Sequence, residues 1–188
     1  MKNRSFVVAA SFVLALVLAS AKDARAVEHQ HHLGLDGGLS MLKIDDKDSL
    51  SVGGGVGAHY AYGLTDQFNL MVEGATNVVA LGEFVGPGFS TKHPSGVDSL
   101  GVGLGYVLDI TRVVPYGGLL LTGFDLRGGS LPNPLFVGGG TVALGVDYQF
   151  TRSFAAGVAL RQHFLLTQIS SYPSYTNAFL RIEYTWGW

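Results

Sequence analysis

Between residues 98 and 110 the chain alternates with a period of two. Asp98, Leu100, Val102, Leu104, Tyr106, Leu108 and Ile110 stand against Ser99, Gly101, Gly103, Gly105, Val107 and Asp109. The same period recurs at 141–150, where Val142, Leu144, Val146, Tyr148 and Phe150 oppose Thr141, Ala143, Gly145, Asp147 and Gln149, and again at 180–188. Similar runs fall near 32–44, 50–63, 67–81, 114–125 and 154–167, the phase of 114–125 being blurred by Leu119 to Leu121. Period two is the strand signal, and after the first 26 residues no stretch carries a 3.6-residue apolar period. The pattern predicts eight strands.

Connections alternate in length. Leu64 to Gln67, Thr111 to Val114 and Thr151 to Ser153 are tight turns, whereas 83–96, 124–140 and 168–177 are longer and rich in Gly, Pro, Ser and Asn; Asp45 to Asp48 is short. Short turns at one rim and longer loops at the other fit an up-and-down barrel, and in an outer membrane the short ones are periplasmic. Alternation alone does not say which face is outside. The non-apolar face is mostly Gly, Ala, Ser and Thr, a poor coat for a soluble protein but a good filling for a narrow eight-stranded lumen. Aromatics agree. Tyr60, Tyr62, Phe68, Tyr106, Tyr116, Tyr148, Phe150, Phe154, Tyr184, Trp186 and Trp188 all sit beside a tight turn or the C-terminus. Tyr and Trp favour a membrane–water boundary because their rings are apolar at one end and polar at the other. The expected fold is therefore all-β, an eight-stranded antiparallel up-and-down transmembrane β-barrel.

Residues 1–26 stand apart. Lys2 and Arg4 precede an uncharged apolar run from Phe6 to Ala19, followed by Ala19-Ser20-Ala21 and Ala24-Arg25-Ala26. A positive start, a short apolar run and a small-residue site read as a cleaved secretory signal peptide. Cleavage is expected after Ala26, with Ala21 as the alternative, leaving residues 27–188 as the barrel domain. Cleavage after Ala26 removes four basic residues and one acidic residue, so the net charge moves from −2 to −5. That mild acidity carries no footprint for nucleic acid.

Composition narrows the chemistry. The chain has 27 glycines, 14% charged residues and no cysteine, so disulfides, thiolate metal sites and cysteine nucleophiles are excluded. The last strand, Leu180-x-Ile182-x-Tyr184-x-Trp186-x-Trp188, together with Tyr62-Gly63-Leu64-Thr65-Asp66-Gln67-Phe68 and Val114-Pro115-Tyr116-Gly117-Gly118, resembles small outer-membrane barrels of the OmpA-barrel, OmpX and OmpW kind. The resemblance implies a cell outer-membrane location, lipopolysaccharide and lipid around the barrel, and a monomer. It also implies recognition of Leu180, Ile182, Tyr184, Trp186 and Trp188 by the barrel assembly machinery, although the family usually ends in Phe.

The small-residue face also carries Asp36, His59, Glu73, Asp109, Asp147, Arg161, His163, Arg181 and Glu183. Buried charges must be paired or watered, so a paired lumen network is expected. It is read either as a plug that holds the barrel together or as a polar path. Gly53-x-Gly55-x-x-Ala58 and Gly138-x-Gly140-x-x-Ala143 match a dinucleotide fingerprint by letter but lie at or inside strands followed by another strand, with no helix after them. The tract Glu28-His29-Gln30-His31-His32 is only a compositional hint of metal binding, expected to be flexible and periplasmic. On the face they share, His163 is followed by Leu165 and His59 by Ala61, so neither supplies the base–nucleophile pair of a lipid A deacylase. No cofactor is expected. The leading expectation is a non-enzymatic structural or interaction barrel with exposed loops. A narrow passive channel is the alternative, and a lipid A-modifying enzyme the second.

Overall fold

The alternating segments do form eight strands, and the sheet closes on itself. The computed structural model describes residues 29–44, 49–81, 93–109 and 111–187. The expected signal peptide, the Asp45 to Asp48 turn, most of the 83–96 loop and Trp188 lie outside the described residues. The strands are β1 (His31–Ile44), β2 (Ser49–Gly63), β3 (Phe68–Leu81), β4 (Gly96–Val107), β5 (Val113–Arg127), β6 (Leu135–Gln149), β7 (Phe154–Phe164) and β8 (Ser174–Trp186). Each pairs antiparallel with its sequence neighbour, and β8 pairs with β1. The pairing runs from His32 through Ala61, Met71, Gly103, Leu120, Thr141, His163 and Tyr175 and returns to β1 at Leu42, ten residues beyond its start. Such a stagger over eight strands tilts them by roughly 40° and leaves a lumen only wide enough for side chains.

Each short turn is tied by a threonine. Thr65 Oγ1 accepts the backbone N–H of Phe68 at 3.0 Å, Thr111 Oγ1 that of Val113 at 3.1 Å and Thr151 Oγ1 that of Phe154 at 3.1 Å. The hydroxyl satisfies an N–H that the reversing ladder leaves unpaired. At the other end, Gly128 and Gly129 adopt φ of +70° and +63°, and a side chain on Gly129 would meet the His93 carbonyl. Leu166–Gln168 form a 3-10 turn after β7.

Several boundaries differ from the sequence expectation. β4 stops at Val107 rather than Ile110, because its next partner is Pro115, which has no N–H to donate to the ladder. β6 begins at Leu135, so the glycine run at 138–140 is strand rather than loop. Gly139 is required there, since a Cβ would strike the Phe164 carbonyl. β8 likewise begins at Ser174, inside the expected loop.

Lipid-type side chains cover the outside. Leu121, Leu180, Val78 and Leu119 are 68–78% exposed, and a belt of this extent has no place in water. Tyr116 departs from the expected aromatic rim, because the inward phase of β5 points it into the lumen. Six other rim aromatics pack in pairs: Phe68 on Tyr106, Tyr148 on Phe150 and Phe154 on Tyr184, with centroids 5.1–5.3 Å apart.

Candidate functional site in the lumen

Inward positions divide the lumen into layers. At the long-loop end, Leu42, Ile44, Val79, Val97, Phe124, Leu126, Val137, Leu165, Tyr172 and Tyr175 form one apolar cluster, each no more than 2% exposed. Leu165 and Tyr172 come from the β7–β8 connection and fold down over the strands. Burial raises the Tyr172 phenol above its ordinary pKa. This layer fills the long-loop end of the lumen.

The charged network lies beneath it. Arg161 Nη2 donates to Asp36 Oδ2 at 2.8 Å, and its Nε forms an ion pair with Glu73 Oε2 at 2.8 Å. The guanidinium also sits over the Phe179 ring, 5.2 Å from the centroid. His59 Nδ1 donates to Asp36 at 3.0 Å, and Arg181 Nη2 lies 2.6 Å from His59 Nε2. His59 Nε2 also lies 3.1 Å from Glu183 Oε2, so it stands between a guanidinium donor and a carboxylate acceptor while Nδ1 faces Asp36. Arg181 Nη2 further donates to Glu183 Oε2 at 2.7 Å, and its Nη1 to the Tyr116 hydroxyl. Its Nε stands 3.4 Å from Asp147 Oδ1, an ion pair without an aligned hydrogen bond.

Registry brings these groups together. Asp36 faces Arg181 across β1–β8, and His59 faces Glu73 across β2–β3. Glycines make the room. A Cβ on Gly34 would strike the His59 ring and the Ile182 carbonyl, and one on Gly145 would strike the Tyr116 phenol. Gly34→Ala is therefore expected to lower stability by about 1–3 kcal/mol through overpacking. A reduced urea midpoint of the detergent-folded protein checks it; an unchanged midpoint would mean that His59 has room to shift.

Seven of the nine inward residues singled out from sequence thus meet in one network: Asp36, His59, Glu73, Asp147, Arg161, Arg181 and Glu183. The other two do not join these ion pairs. His163 sits between the rings of Phe124 and Tyr175 and contacts Thr141 Oγ1 at 2.6 Å and Asn177 Nδ2 at 3.2 Å. Thr141 continues to Thr122 at 2.7 Å, so His163 belongs to a hydroxyl and amide chain. Asp109 follows the end of β4 and lines the open mouth at the short-turn end.

Two participants escape the sequence reading. Tyr116 looks like a rim aromatic, and only the phase of β5 reveals it as a lumen residue. His32 looks like part of a loose His tract, yet it belongs to β1 and its Nδ1 donates to Glu183 Oε1 at 2.8 Å. His31 points outward, bonded to the Tyr60 hydroxyl at 2.8 Å and stacked on Trp186. Neighbouring strand residues face opposite sides, so His31 and His32 cannot converge on one ion.

Known proteins share this architecture. The N-terminal β-barrel domain of Pseudomonas aeruginosa OprF superimposes with a TM-score of 0.57 at 14% identity, covering 85% of this chain and 98% of that one. Neisserial surface protein A gives 0.58 at 15% identity, covering 84% and 97%. Ail, the attachment invasion locus protein of Yersinia pestis, gives 0.52 at 17% identity, covering 85% and 99%. No curated protein sequence matches the chain. Likenesses this distant in sequence establish the fold alone. The sequence profile of the outer membrane protein beta-barrel domain matches residues 11–184. With a closed eight-stranded barrel and an apolar exterior beside that match, the chain belongs to the outer membrane protein beta-barrel family.

Proposed function

We propose that this protein is a closed, non-conducting outer-membrane barrel that acts as a scaffold for extracellular contacts rather than as a pore or an enzyme. The apolar layer of Leu42, Phe124, Leu126, Leu165 and Tyr175 across the extracellular end of the lumen carries this reading. An ion entering from the periplasm meets hydrocarbon there, and an uncompensated charge in such surroundings costs several kcal/mol. The paired charges beneath cross-link β1, β2, β3, β6, β7 and β8 from inside, which is structural work.

A non-enzymatic role is supported by where the histidines sit. His59 and His163 lie within the lumen, 3% exposed each, the first below the apolar layer and the second against its Phe124 and Tyr175 rings, and both away from the lipid face. A group that processes lipid must reach the lipid. The extracellular loops are then the surface left for partners. Ail, whose fold is similar, has a structure with a heparin analogue bound; attachment through loops is the role we assign here.

Export by the 1–26 signal peptide, insertion as a monomer among lipopolysaccharide, and recognition of β8 by the barrel assembly machinery complete the proposal. Leu180, Ile182, Tyr184 and Trp186 project outward in one file on β8, as such recognition needs. Protein folded in detergent and moved into planar bilayers is expected to show no steady single-channel steps. Sustained steps would replace this reading with a narrow channel.

A further inference from the structure

The β7–β8 connection sits astride the long-loop rim. Leu165 and Tyr172 turn inward and join the apolar layer, both no more than 2% exposed. Leu166 and Ile169 turn away from it and are 59% and 51% exposed. Two large aliphatic side chains left in water forgo the gain from burying them.

Thr167 fixes which side of the rim the turn occupies. β7 ends at Phe164, which pairs with Gly140, so β6 has no ladder partner on that side at Gly138. The Gly138 N–H donates to Thr167 Oγ1 at 3.1 Å instead. Gly138 shares the outward phase of Phe136 on β6, and a Cβ on it would meet Thr167 Cγ2 at 3.6 Å. The 3-10 turn is therefore held against the outer wall rather than over the mouth of the lumen.

That wall is apolar. Phe136 is 76% exposed, and its ring lies 3.0–3.3 Å from where a Cβ of Gly123 would stand on β5, next in file to Leu121. Phe164 faces outward beside them on β7. The turn thus continues the surface that meets lipid. On β3 to β5 the same rim is polar, with Asp98 Oδ1 accepting from Thr76 Oγ1 at 2.6 Å and from Arg127 Nη2 at 2.9 Å. The turn itself suits a boundary with hydrocarbon. Residues 164–180 hold no Asp, Glu, Lys or Arg. The Gln168 N–H donates to the Leu165 carbonyl and the Tyr172 N–H to the Gln168 carbonyl, each at 2.9 Å. Backbone groups beside hydrocarbon need such partners within the protein.

We infer that the β7–β8 turn is a lipid-docking element: Leu166 and Ile169 seat among the acyl chains of the outer leaflet, just beneath the headgroups, while Thr167 pins the turn to β6. Apolar side chains on an interfacial segment reach this boundary by burying a few of their carbons below the headgroups. The inference rests on the outer-membrane placement proposed above and narrows it. This connection belongs to the lipid, and extracellular partners are left to the other loops.

The chain has no cysteine, so Leu166→Cys, Ile169→Cys, Leu121→Cys and Asn133→Cys can each carry a single nitroxide. The full mature protein is refolded into dilauroylphosphatidylcholine vesicles. Collisions of the nitroxide are measured with oxygen, which enters lipid, and with a nickel chelate, which stays in water. Leu121 marks the belt, and Asn133, exposed in the β5–β6 loop, marks water. The oxygen-to-nickel ratio at Leu166 and Ile169 is expected to exceed that at Asn133 by about threefold or more, as interfacial seating implies. Ratios equal to that at Asn133 would overturn the inference and return the turn to the surface open to a protein partner. A Leu121 label that also reads as water would defeat the membrane placement itself, so the two failures are distinguishable. Should a label prevent folding, the unmodified protein decides through the 13C methyls of Ile169 and of Ile182 in the belt. A lipid-borne nitroxide is expected to broaden both, and a gadolinium chelate in the water neither. Broadening of Ile169 by gadolinium and not by the lipid-borne label would sink the inference.

Discussion

Arg161→Met is expected to destabilise the folded barrel by about 3–5 kcal/mol, the cost of leaving buried carboxylates without their cation. The guanidinium is 2% exposed and stands between Asp36 and Glu73. Asp36 would keep His59 as a partner. Glu73 would not be so fortunate: Oε2 has its ion pair with Arg161, and Oε1 has no hydrogen-bond partner. The loss should therefore fall mainly on Glu73, and Arg161→Met combined with Glu73→Gln should recover much of it. A urea midpoint, read as the change between heat-modified and folded bands on a gel, measures both variants. Equal costs for the single and double variants would show that Glu73 is not the group left exposed to the penalty. Methionine keeps much of the volume of arginine over the Phe179 ring, so the loss reports charge rather than packing.

Leu121→Arg on β5 and Leu180→Arg on β8 are each expected to cost about 2–4 kcal/mol in a lipid bilayer, because both sit near the middle of strands whose outer face meets hydrocarbon. The two residues are 78% and 70% exposed. Phe136→Arg, at 76% exposure but at the extracellular end of β6, should cost no more than about 1 kcal/mol. The three sites are alike in exposure and differ in depth. Refolding into lipid vesicles separates them, and a flat result across the three would contradict the membrane belt. The same comparison orients the barrel wall, since an inward neighbour such as Thr122 is buried and bonded to Thr141.

The charged lumen and the apolar layer divide the work of closing the barrel. Paired charges tie six strands together across the centre, each ion held by partners from other strands. The apolar layer needs no such pairing and fills the long-loop end. Below the network the lumen opens toward the short turns.

Alternation along eight segments, clearest at 98–110, 141–150 and 180–188, was enough to establish strands and their number, and the Gly, Ala, Ser and Thr of the other face told which face meets lipid. That face repeats every second residue within each strand, and a local repeat needs no knowledge of distant partners. The inward placement of Asp36, His59, Glu73, Asp147, Arg161, Arg181 and Glu183 came from the same repeat. Other features depended on registry between strands. Tyr116 reads as a rim aromatic until the pairing of β5 aims it at Arg181, and His32 reads as part of a loose tract until β1 places it beside Glu183. The glycines at 138–140 read as loop because glycine is common in turns; the approach of the Phe164 carbonyl to Gly139 makes them strand. Periodicity, with the composition of the two faces, determined that this chain is a lipid-facing barrel with a charged interior. Which charges pair and where apolar side chains gather in the lumen were decided only when the ten-residue stagger set each strand against the next, because those contacts join residues far apart in the chain.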